Sequence, residues 1–338
     1  MNWNEVNRLA KERFRGACRV CRVCDGVACA GEMPGMGGTG TGSSFIANIE
    51  ALASYKLSLR TLHDVTEPRT GLNLFGHSLE MPILAAAVAG TKLNMKEAMP
   101  EIELARALIG GAVQAGSLGM VGDGPDPTMY PTGLSVLAEQ GGRGIAIIKP
   151  RPEAEILARI RQAEEAGAWA VGVDVDAAGI INMTRAGQPV RPHPPETWAN
   201  IISQTKLPFV LKGIMTAEEA EAAVDVGAEA IVVSNHGGRI LDHTPGTAEV
   251  LPDIVDAVRG EIVILVDGGI RSGVDVLKML ALGADAVLIG RPLAIAAVGG
   301  GGEAVTAALG RYADELRSAM ILTGCESLAN MDESVLSM

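Results

Sequence analysis

The chain has 338 residues, of which 48% are hydrophobic and 3% are aromatic, and its formal net charge at pH 7 is −12. This length and apolar content allow a substantial core, and the many small residues favour an α/β protein over a β-sandwich. The acidic balance disfavours an extended nucleic-acid or anionic-membrane surface and favours a small-molecule partner, while leaving room for a local basic pocket that binds one phosphate.

Residues 1–45 form a predicted extension with a cysteine cluster and a glycine-rich loop, "PGMGGTGTGSSF" at 34–45. The segment lacks the apolar core of a signal peptide, so we expect a cytoplasmic protein with no membrane partner. The loop has neither a preceding strand nor a lysine after its glycines, which favours a flexible lid or a cover for a cofactor edge over a nucleotide loop.

Four cysteines in this extension, Cys18, Cys21, Cys24 and Cys29, have the spacing C-x2-C-x2-C-x4-C. The first part of this spacing is typical of iron–sulfur ligation, and the pairs could equally hold zinc. Redox-active thiols and ordinary reduced cysteines are alternatives that the spacing leaves open. Cys325 is predicted to be a small core residue.

Eight short apolar runs follow, separated by helix-length segments. The runs lie at 81–90, 111–119, 144–150, 169–176, 207–213, 229–235, 262–269 and 285–290. Their continuous rather than alternating apolarity predicts parallel strands that are covered on both faces. Eight such units predict a closed (β/α)8 TIM barrel, which we assign to residues 46–338 as a single domain.

Polar residues follow the carboxyl ends of most of these runs: Ser117, Lys149, Asp174, Lys212, His236 with Arg239, Asp267 with Arg271, and Gly290 with Arg291. A barrel of this type builds its active site from the loops at the carboxyl ends of its strands. These residues are therefore predicted to share one site. An imidazole there can take a proton at neutral pH, so His236 is the candidate base.

The segment "DGGIRSG" at 267–273 follows a strand and opens a helix, and a Gly-Arg pair follows the next strand at 290–291. Small residues let backbone N–H groups and a helix N-terminus approach an anion, so both segments are candidate phosphate ligands. Lys212 ends its run in "FVLKG", where a lysine must reach solvent or meet a negative partner.

Three segments, "VLKGIMTAEEA" (210–220), "SNHGGRILD" (234–242) and "LVDGGIRSGVDVLKMLALGADAVLIGRP" (265–292), resemble the FMN-dependent α-hydroxy-acid oxidising enzymes, the family of glycolate oxidase and lactate oxidase. The resemblance implies FMN as cofactor and oxidation of a small 2-hydroxy acid, lactate- or glycolate-like, to the 2-oxo acid. It implies His236 as base, Asp174 as the carboxylate that orients it, and Arg239 as the clamp for the substrate carboxylate.

The resemblance also implies that Lys212 stabilises the negative charge of the reduced flavin, and that the protein is a homo-oligomer, a tetramer or larger. The expected cofactor-binding residues are Ser117, Lys212, Ser234, Asp267, Gly268, Gly269, Arg271, Gly290 and Arg291.

The family usually supplies two tyrosines to the substrate, and Tyr55, Tyr130 and Tyr312 do not fall at those places. The third run offers Lys149 where an aromatic hydroxyl is expected. Substrate identity therefore stays open, and two alternatives are an FMN barrel of the type 2 isopentenyl diphosphate isomerase kind and a non-catalytic flavin-binding protein. The "HGGR" segment argues against the isomerase, which has no need of a His–Arg pair for a carboxylate.

Overall fold

The computed structural model describes residues 1–337, and its centre is a closed barrel of eight parallel strands. The strands are β1 (Ile83–Ala85), β2 (Gly119–Val121), β3 (Gly144–Ile148), β4 (Ala170–Asp174), β5 (Phe209–Ile214), β6 (Ala230–Val233), β7 (Val263–Val266) and β8 (Ala286–Ile289). Each strand pairs with the next along the chain, and β8 pairs with β1. The predicted TIM barrel is confirmed.

Alternate residues of each strand face two different cores. In β3, Ile145 and Ile147 pack inside the barrel, whereas Ala146 and Ile148 pack against the surrounding helices. This alternation is the ordinary consequence of successive side chains pointing to opposite faces of a strand. Both faces are buried, which explains why the runs are continuously apolar.

The helices surround the barrel and cover its ends. Their bounds are Trp3–Phe14, Ser43–Ser54, Thr91–Asn94, Glu101–Ala105, Gly111–Gln114, Met129–Glu139, Glu153–Glu165, Ile181–Arg185, Pro195–Ile202, Ala217–Asp225, Thr247–Val258, Gly273–Ala281 and Arg291–Thr323. A π-helical turn, Arg106–Gly110, joins two of them. Short 3-10 turns lie at Val27–Cys29, Val175–Gly179, Leu328–Asn330 and Glu333–Val335.

The amino-terminal end of the barrel is closed by a two-stranded ribbon, Leu72–Leu74 with His77–Leu79. Its Leu74 and Leu79 belong to the same core cluster as the residues inside the barrel. A second ribbon pairs Lys56–Leu57 with Leu336–Ser337. The opposite, carboxyl end of the barrel is the end that this ribbon leaves open.

The amino-terminal extension packs onto the barrel rather than standing apart from it. Helix Trp3–Phe14 lies against helix Arg291–Thr323, with Val6, Ala10 and Phe14 buried. The boundary expected after residue 45 falls inside helix Ser43–Ser54. The extension and the barrel therefore share one core.

Helix Arg291–Thr323 is long and apolar enough to span a membrane by length and composition, and 56% of its most apolar window is buried inside the protein. Gly301, with φ 65° and ψ −158°, interrupts it as two helical segments. A buried helix of a folded domain passes the same test of length and composition, so this feature is weak evidence for a membrane span.

Candidate active site

The site lies at the carboxyl end of the barrel, where a cavity opens between the loops that follow the strands. Five polar residues form the last layer of the barrel interior, because each is an even number of positions beyond an interior apolar residue of its strand. They are Lys149, Asp174, Lys212, Ser234 and Asp267. Strand alternation therefore brings these predicted residues together.

Two lysines and two aspartates alternate in this layer. Lys149 Nζ lies 2.7 Å from Asp174 Oδ2, and Lys212 Nζ lies 3.3 Å from Asp174 Oδ1 and 3.5 Å from Asp267 Oδ2. Burial opposes ionisation of Asp174, but Lys149 and Lys212 outweigh it and hold its pKa well below the ordinary value. Burial likewise opposes the charge on Lys212, yet Asp267 and Asp174 raise its pKa. Asp174 and Lys212 therefore both remain charged near neutral pH.

His236 stands at the rim with a left-handed backbone, φ 57°. Its backbone N–H donates to Ser234 Oγ at 3.0 Å, and its Nδ1 lies 3.1 and 3.2 Å from the two carboxylate oxygens of Asp176. A non-glycine residue in this region of φ/ψ space is uncommon, and such residues concentrate at functional sites. The turn and the carboxylate together fix the direction of the imidazole ring.

The carboxylate that contacts the imidazole is Asp176, which corrects the assignment of that role to Asp174. Asp174 is the last residue of β4 and points into the lysine layer, whereas the chain then turns through Val175–Gly179 and carries Asp176 over the rim. Gly213 allows this approach, since a Cβ there would lie 2.6 Å from the Asp176 side chain. The sequence signal was the paired acids of "VDVD" at 173–176.

Three arginines, Arg239, Arg271 and Arg291, line the cavity. Within residues 1–337 none of them has a carboxylate in ion-pair distance; their side-chain partners are backbone carbonyls, the amide of Asn94 and a cysteine sulfur. Burial and then Arg291 lower the pKa of Arg239 to about 9, and burial and then Arg271 lower that of Arg291 to about 10. This concentration of half-buried cations favours the binding of anions.

The glycine-rich loop covers this arginine cluster. Arg239 Nη1 donates to the Gly35 carbonyl at 2.5 Å, and Arg291 donates to the carbonyls of Met36 at 2.7 Å and Gly37 at 3.0 Å. Arg291 also lies over the ring of Phe45, 3.9 Å from its centroid. The expectation that this loop is a cover agrees with its position over the cavity.

The two segments predicted to bind phosphate differ in whether the helix that follows has free N–H groups at its N-terminus. The N-terminus of helix Gly273–Ala281 is already capped by Ser272 and Asp275, and the Gly273 N–H donates to Glu315. The helix that begins at Arg291 has no side-chain cap. The uncapped N–H groups are therefore at Gly290 and Arg291, and the segment at 267–273 offers Arg271 and its glycines rather than a helix end.

Ser117 lies at the wrong end of the barrel for a cofactor ligand. The second apolar run is helical at Gly111–Gln114, and its strand is only Gly119–Val121, so Ser117 precedes the strand instead of following it. Its Oγ donates to the Ile83 carbonyl at 2.5 Å and is fully buried. Ser117 is therefore a structural residue.

The tyrosines and the four cysteines of the extension lie outside the main cavity. No tyrosine lines the cavity: Tyr55 and Tyr130 donate to backbone carbonyls elsewhere, and Tyr312 is buried among helices. The four cysteines of the extension are unpaired and line a second, adjacent cavity. Burial raises the pKa of Cys18 to about 11, which disfavours a reactive thiolate there.

Sequence reasoning missed the opposite side of the mouth. Asp123 and Arg151 form a buried ion pair, 2.7 Å between Oδ2 and Nε, and Arg151 also donates to Gln188. The pair joins the loops after β2 and β3, and the bond to Gln188 joins both to the loop after β4. Apolar side chains from this side and from the glycine-rich loop also line the cavity, and the larger ones include Met33, Met36, Leu93, Met95, Met129, Ile180 and Met183.

Comparison with known proteins identifies the family to which this chain belongs. The sequence profile of the family described as FMN-dependent dehydrogenase matches residues 35–200 and 193–338. The chain belongs to the FMN-dependent dehydrogenase family. Members similar to it include 4-hydroxymandelate oxidase of Amycolatopsis orientalis, 37% identical over 86% of this chain and 89% of the relative, and L-lactate oxidase of Nostoc sp., 35% identical over 83% and 86%.

Solved structures of FMN-dependent dehydrogenases agree in fold. Mandelate oxidase with (S)-2-phenylpropionate has a TM-score of 0.81 and 36% identity, covering 99% of this chain and 97% of that one. A mandelate oxidase variant solved with the C4a-OH-FMN adduct has a TM-score of 0.80 and 34% identity, with 98% of each chain covered. The chain is therefore an FMN-dependent oxidoreductase that acts on 2-hydroxy acids.

The mouth of this FMN-dependent dehydrogenase fits its cofactor. Arg271 and Arg291, half-buried and without carboxylate partners in the described chain, meet the need of a phosphate dianion for donors. Oxidases and dehydrogenases among the relatives favour catalysis over the isomerase and carrier alternatives.

Proposed function

We propose that the substrate is a 2-hydroxy acid with an apolar side chain larger than that of lactate, that His236 takes its proton, and that Arg239 binds its carboxylate. The observation that carries this proposal is the joint presence of His236, hydrogen-bonded to Asp176, and of Arg239 in one cavity. A base, a group that orients it and a cation for the carboxylate are the parts that the reaction requires.

The hydrogen bond to Asp176 determines how His236 works. In the neutral ring, Nδ1–H donates to the carboxylate, so Nε2 carries the lone pair that accepts the substrate proton. Once the ring is protonated, Asp176 stabilises the imidazolium at 3.1 Å. His236 is thus the catalytic base, and Asp176 is a positioning residue.

Binding of FMN uses the polar layer and the arginines. Arg271, Gly290 and Arg291 would hold its phosphate, Lys212 its pyrimidine edge, and Ser234, Asp267, Gly268 and Gly269 the chain between them. When bound, FMN accepts the two electrons of the oxidation. Lys212 stays charged because two carboxylates face it, so it provides a fixed positive charge where negative charge develops.

The apolar lining supports a substrate with a bulky side chain. Its larger side chains include five methionines, whose flexible thioethers adapt to aromatic or branched groups. The likeness to a 4-hydroxymandelate oxidase supports the same choice, while lactate oxidase is also among the similar proteins. The lactate- or glycolate-like substrate stays a prediction, and a substrate of mandelate size is the one proposed.

Anaerobic mixing of the FMN-loaded protein with a panel of 2-hydroxy acids tests this function. We expect mandelate and branched aliphatic 2-hydroxy acids to bleach the flavin faster than lactate or glycolate. The 2-oxo acids serve as controls, since they are already oxidised at C2 and have no hydroxyl group or hydrogen atom there to lose. If FMN is bound and no member of the panel bleaches it, the proposed function is wrong.

A further inference from the structure

The four cysteines of the extension meet at one cavity beside the active site. Cys18, Cys21, Cys24 and Cys29 all line this second cavity. It lies outside the machinery described so far, and the cysteines form no disulfide. Four thiols facing one space form a ligand set for a metal centre.

The loop that carries the cysteines is shaped around this cavity. Val20 has a left-handed backbone, φ 49°, although it is β-branched, and its N–H donates to Cys18 Sγ at 3.4 Å. Gly26, at φ 90°, turns the chain back so that Cys29 reaches the cavity, and a Cβ there would lie 2.7 Å from the Phe45 ring. Strain of this kind persists where the surroundings require it, and N–H donors to sulfur are a feature of cluster sites.

The surroundings suit a negatively charged centre. Arg271 Nη2 donates to Cys24 Sγ at 3.5 Å, and Arg291 lines the same cavity. Neither guanidinium has a carboxylate partner within residues 1–337. Both guanidinium groups can therefore neutralise the negative charge of a phosphate on one side and of metal-bound thiolates on the other.

The spacing of the sulfur atoms favours a cluster over a single ion. No three of the cysteine sulfurs lie within 4.8 Å of one another in the described chain; the one set of potential metal-binding groups that does is Asp174, Asp176 and His236. A tetrahedral zinc ion draws its thiolates together at about 2.3 Å each, whereas each thiolate of a [4Fe–4S] cluster binds a different iron. We propose that Cys18, Cys21, Cys24 and Cys29 bind a [4Fe–4S] cluster.

The position of this cluster gives it a role that rests on the proposed function. Met36 and Arg291 line both cavities, so a single layer of side chains separates the cluster from the flavin site. Oxidation of one hydroxy acid yields two electrons and two protons. When bound by these cysteines, the cluster would supply a route for single electrons from the flavin to an external one-electron carrier protein; two such transfers would account for both electrons, and both protons would pass to solvent.

Anaerobic purification of the full chain, with iron, sulfide, zinc and FMN measured together, tests the site. We expect about four iron and four sulfide per chain and an electron paramagnetic resonance signal after reduction with dithionite. Cys21→Ser and Cys24→Ser should each lose more than half of the iron, whereas Cys325→Ser, a buried cysteine away from the cavity, should keep it. Zinc alone, or no metal in yellow protein, overturns the proposal.

Cluster content and flavin reduction are measured separately, so the two proposals fail separately. Protein with iron and sulfide whose flavin no hydroxy acid bleaches refutes the proposed function and leaves the cluster site standing. Bleaching without iron refutes the cluster alone. Appearance of the reduced-cluster signal after anaerobic substrate addition, in the wild type but not in His236→Gln, supports the electron route; its absence from the wild type refutes that route.

Discussion

The two sides of the barrel mouth differ in what their residues do. The side formed by β5 to β8 carries Lys212, His236, Asp267 and the arginines, which form a charged network that faces the cavity. The side formed by β1 to β4 adds Lys149 and Asp174 to that network but is otherwise lined mostly by apolar groups, and its Asp123–Arg151 pair is buried and satisfied within the protein. The first side is suited to flavin and proton chemistry, and the second to substrate shape and stability.

The largest effect on the β1 to β4 side is expected from Arg151→Met, which leaves the buried Asp123 carboxylate with two backbone N–H donors and, as its one charged partner in the described chain, Arg159 at 3.5 Å. Loss of one partner of a buried pair costs about 3–5 kcal/mol in the free energy of unfolding. Urea unfolding measures this loss. Flavin reduction by the protein that remains folded should change only a few-fold, and a drop as large as that of a catalytic variant would contradict the division between the two sides.

His236→Gln is the matching change on the other side. It removes the proton acceptor, so flavin reduction should slow by at least about 10²-fold while FMN content and unfolding free energy stay near wild type. Stopped-flow absorbance measures the rate. The control is His243→Gln, an exposed histidine seven positions away. Equal reduction rates in His236→Gln and wild type would remove His236 from the mechanism.

Asp176→Asn and Asp174→Asn separate two neighbouring carboxylates. A charge-assisted hydrogen bond is worth about 1.5–3 kcal/mol, so Asp176→Asn should slow reduction by about 10-fold or more. The rate of flavin reduction, followed by stopped-flow absorbance across a range of pH, measures this loss. Rates identical to wild type at every pH would contradict the role of Asp176.

Asp174→Asn should instead change stability. Its folded pKa lies below the ordinary value near 3.8, so the carboxylate stabilises the fold above about pH 4, and this stabilisation is lost as the pH falls through the lower folded pKa. The variant should therefore be less stable at neutral pH and lose less stability on acidification. Unfolding curves at pH 7 and pH 3 check this expectation.

The smallest effect is expected from Met183→Ala, which enlarges the apolar lining. Each buried methylene is worth about 0.8 kcal/mol, or about fourfold in rate, so preference should move toward 4-substituted mandelates relative to lactate by a few-fold. Met279→Ala, a buried methionine outside the cavity, is the control. A change in preference shared by both variants would show a general loss of packing.

The same contrast explains what sequence could predict. The residues of the charged side could be predicted because the chemistry requires particular residue types there. Apolar runs of the sequence end at or just before Lys212, His236, Arg239 and Asp267. The error at Ser117 arose because helical Gly111–Gln114 is as apolar as a strand. The error at Asp174 arose because a turn, not strand alternation, positions Asp176. The methionine lining comes from many separate loops, which no local pattern reveals.

The carbonyls that hold Arg239 come from a segment 204 positions earlier in the chain. Residues 35–37 thus cover the cavity, and the barrel loops form its sides. Removing the first 45 residues would leave the guanidinium groups of Arg239 and Arg291 without these acceptors. Substitutions at residues 35–37 are consequently a way to alter which anion enters the cavity without changing any strand of the barrel.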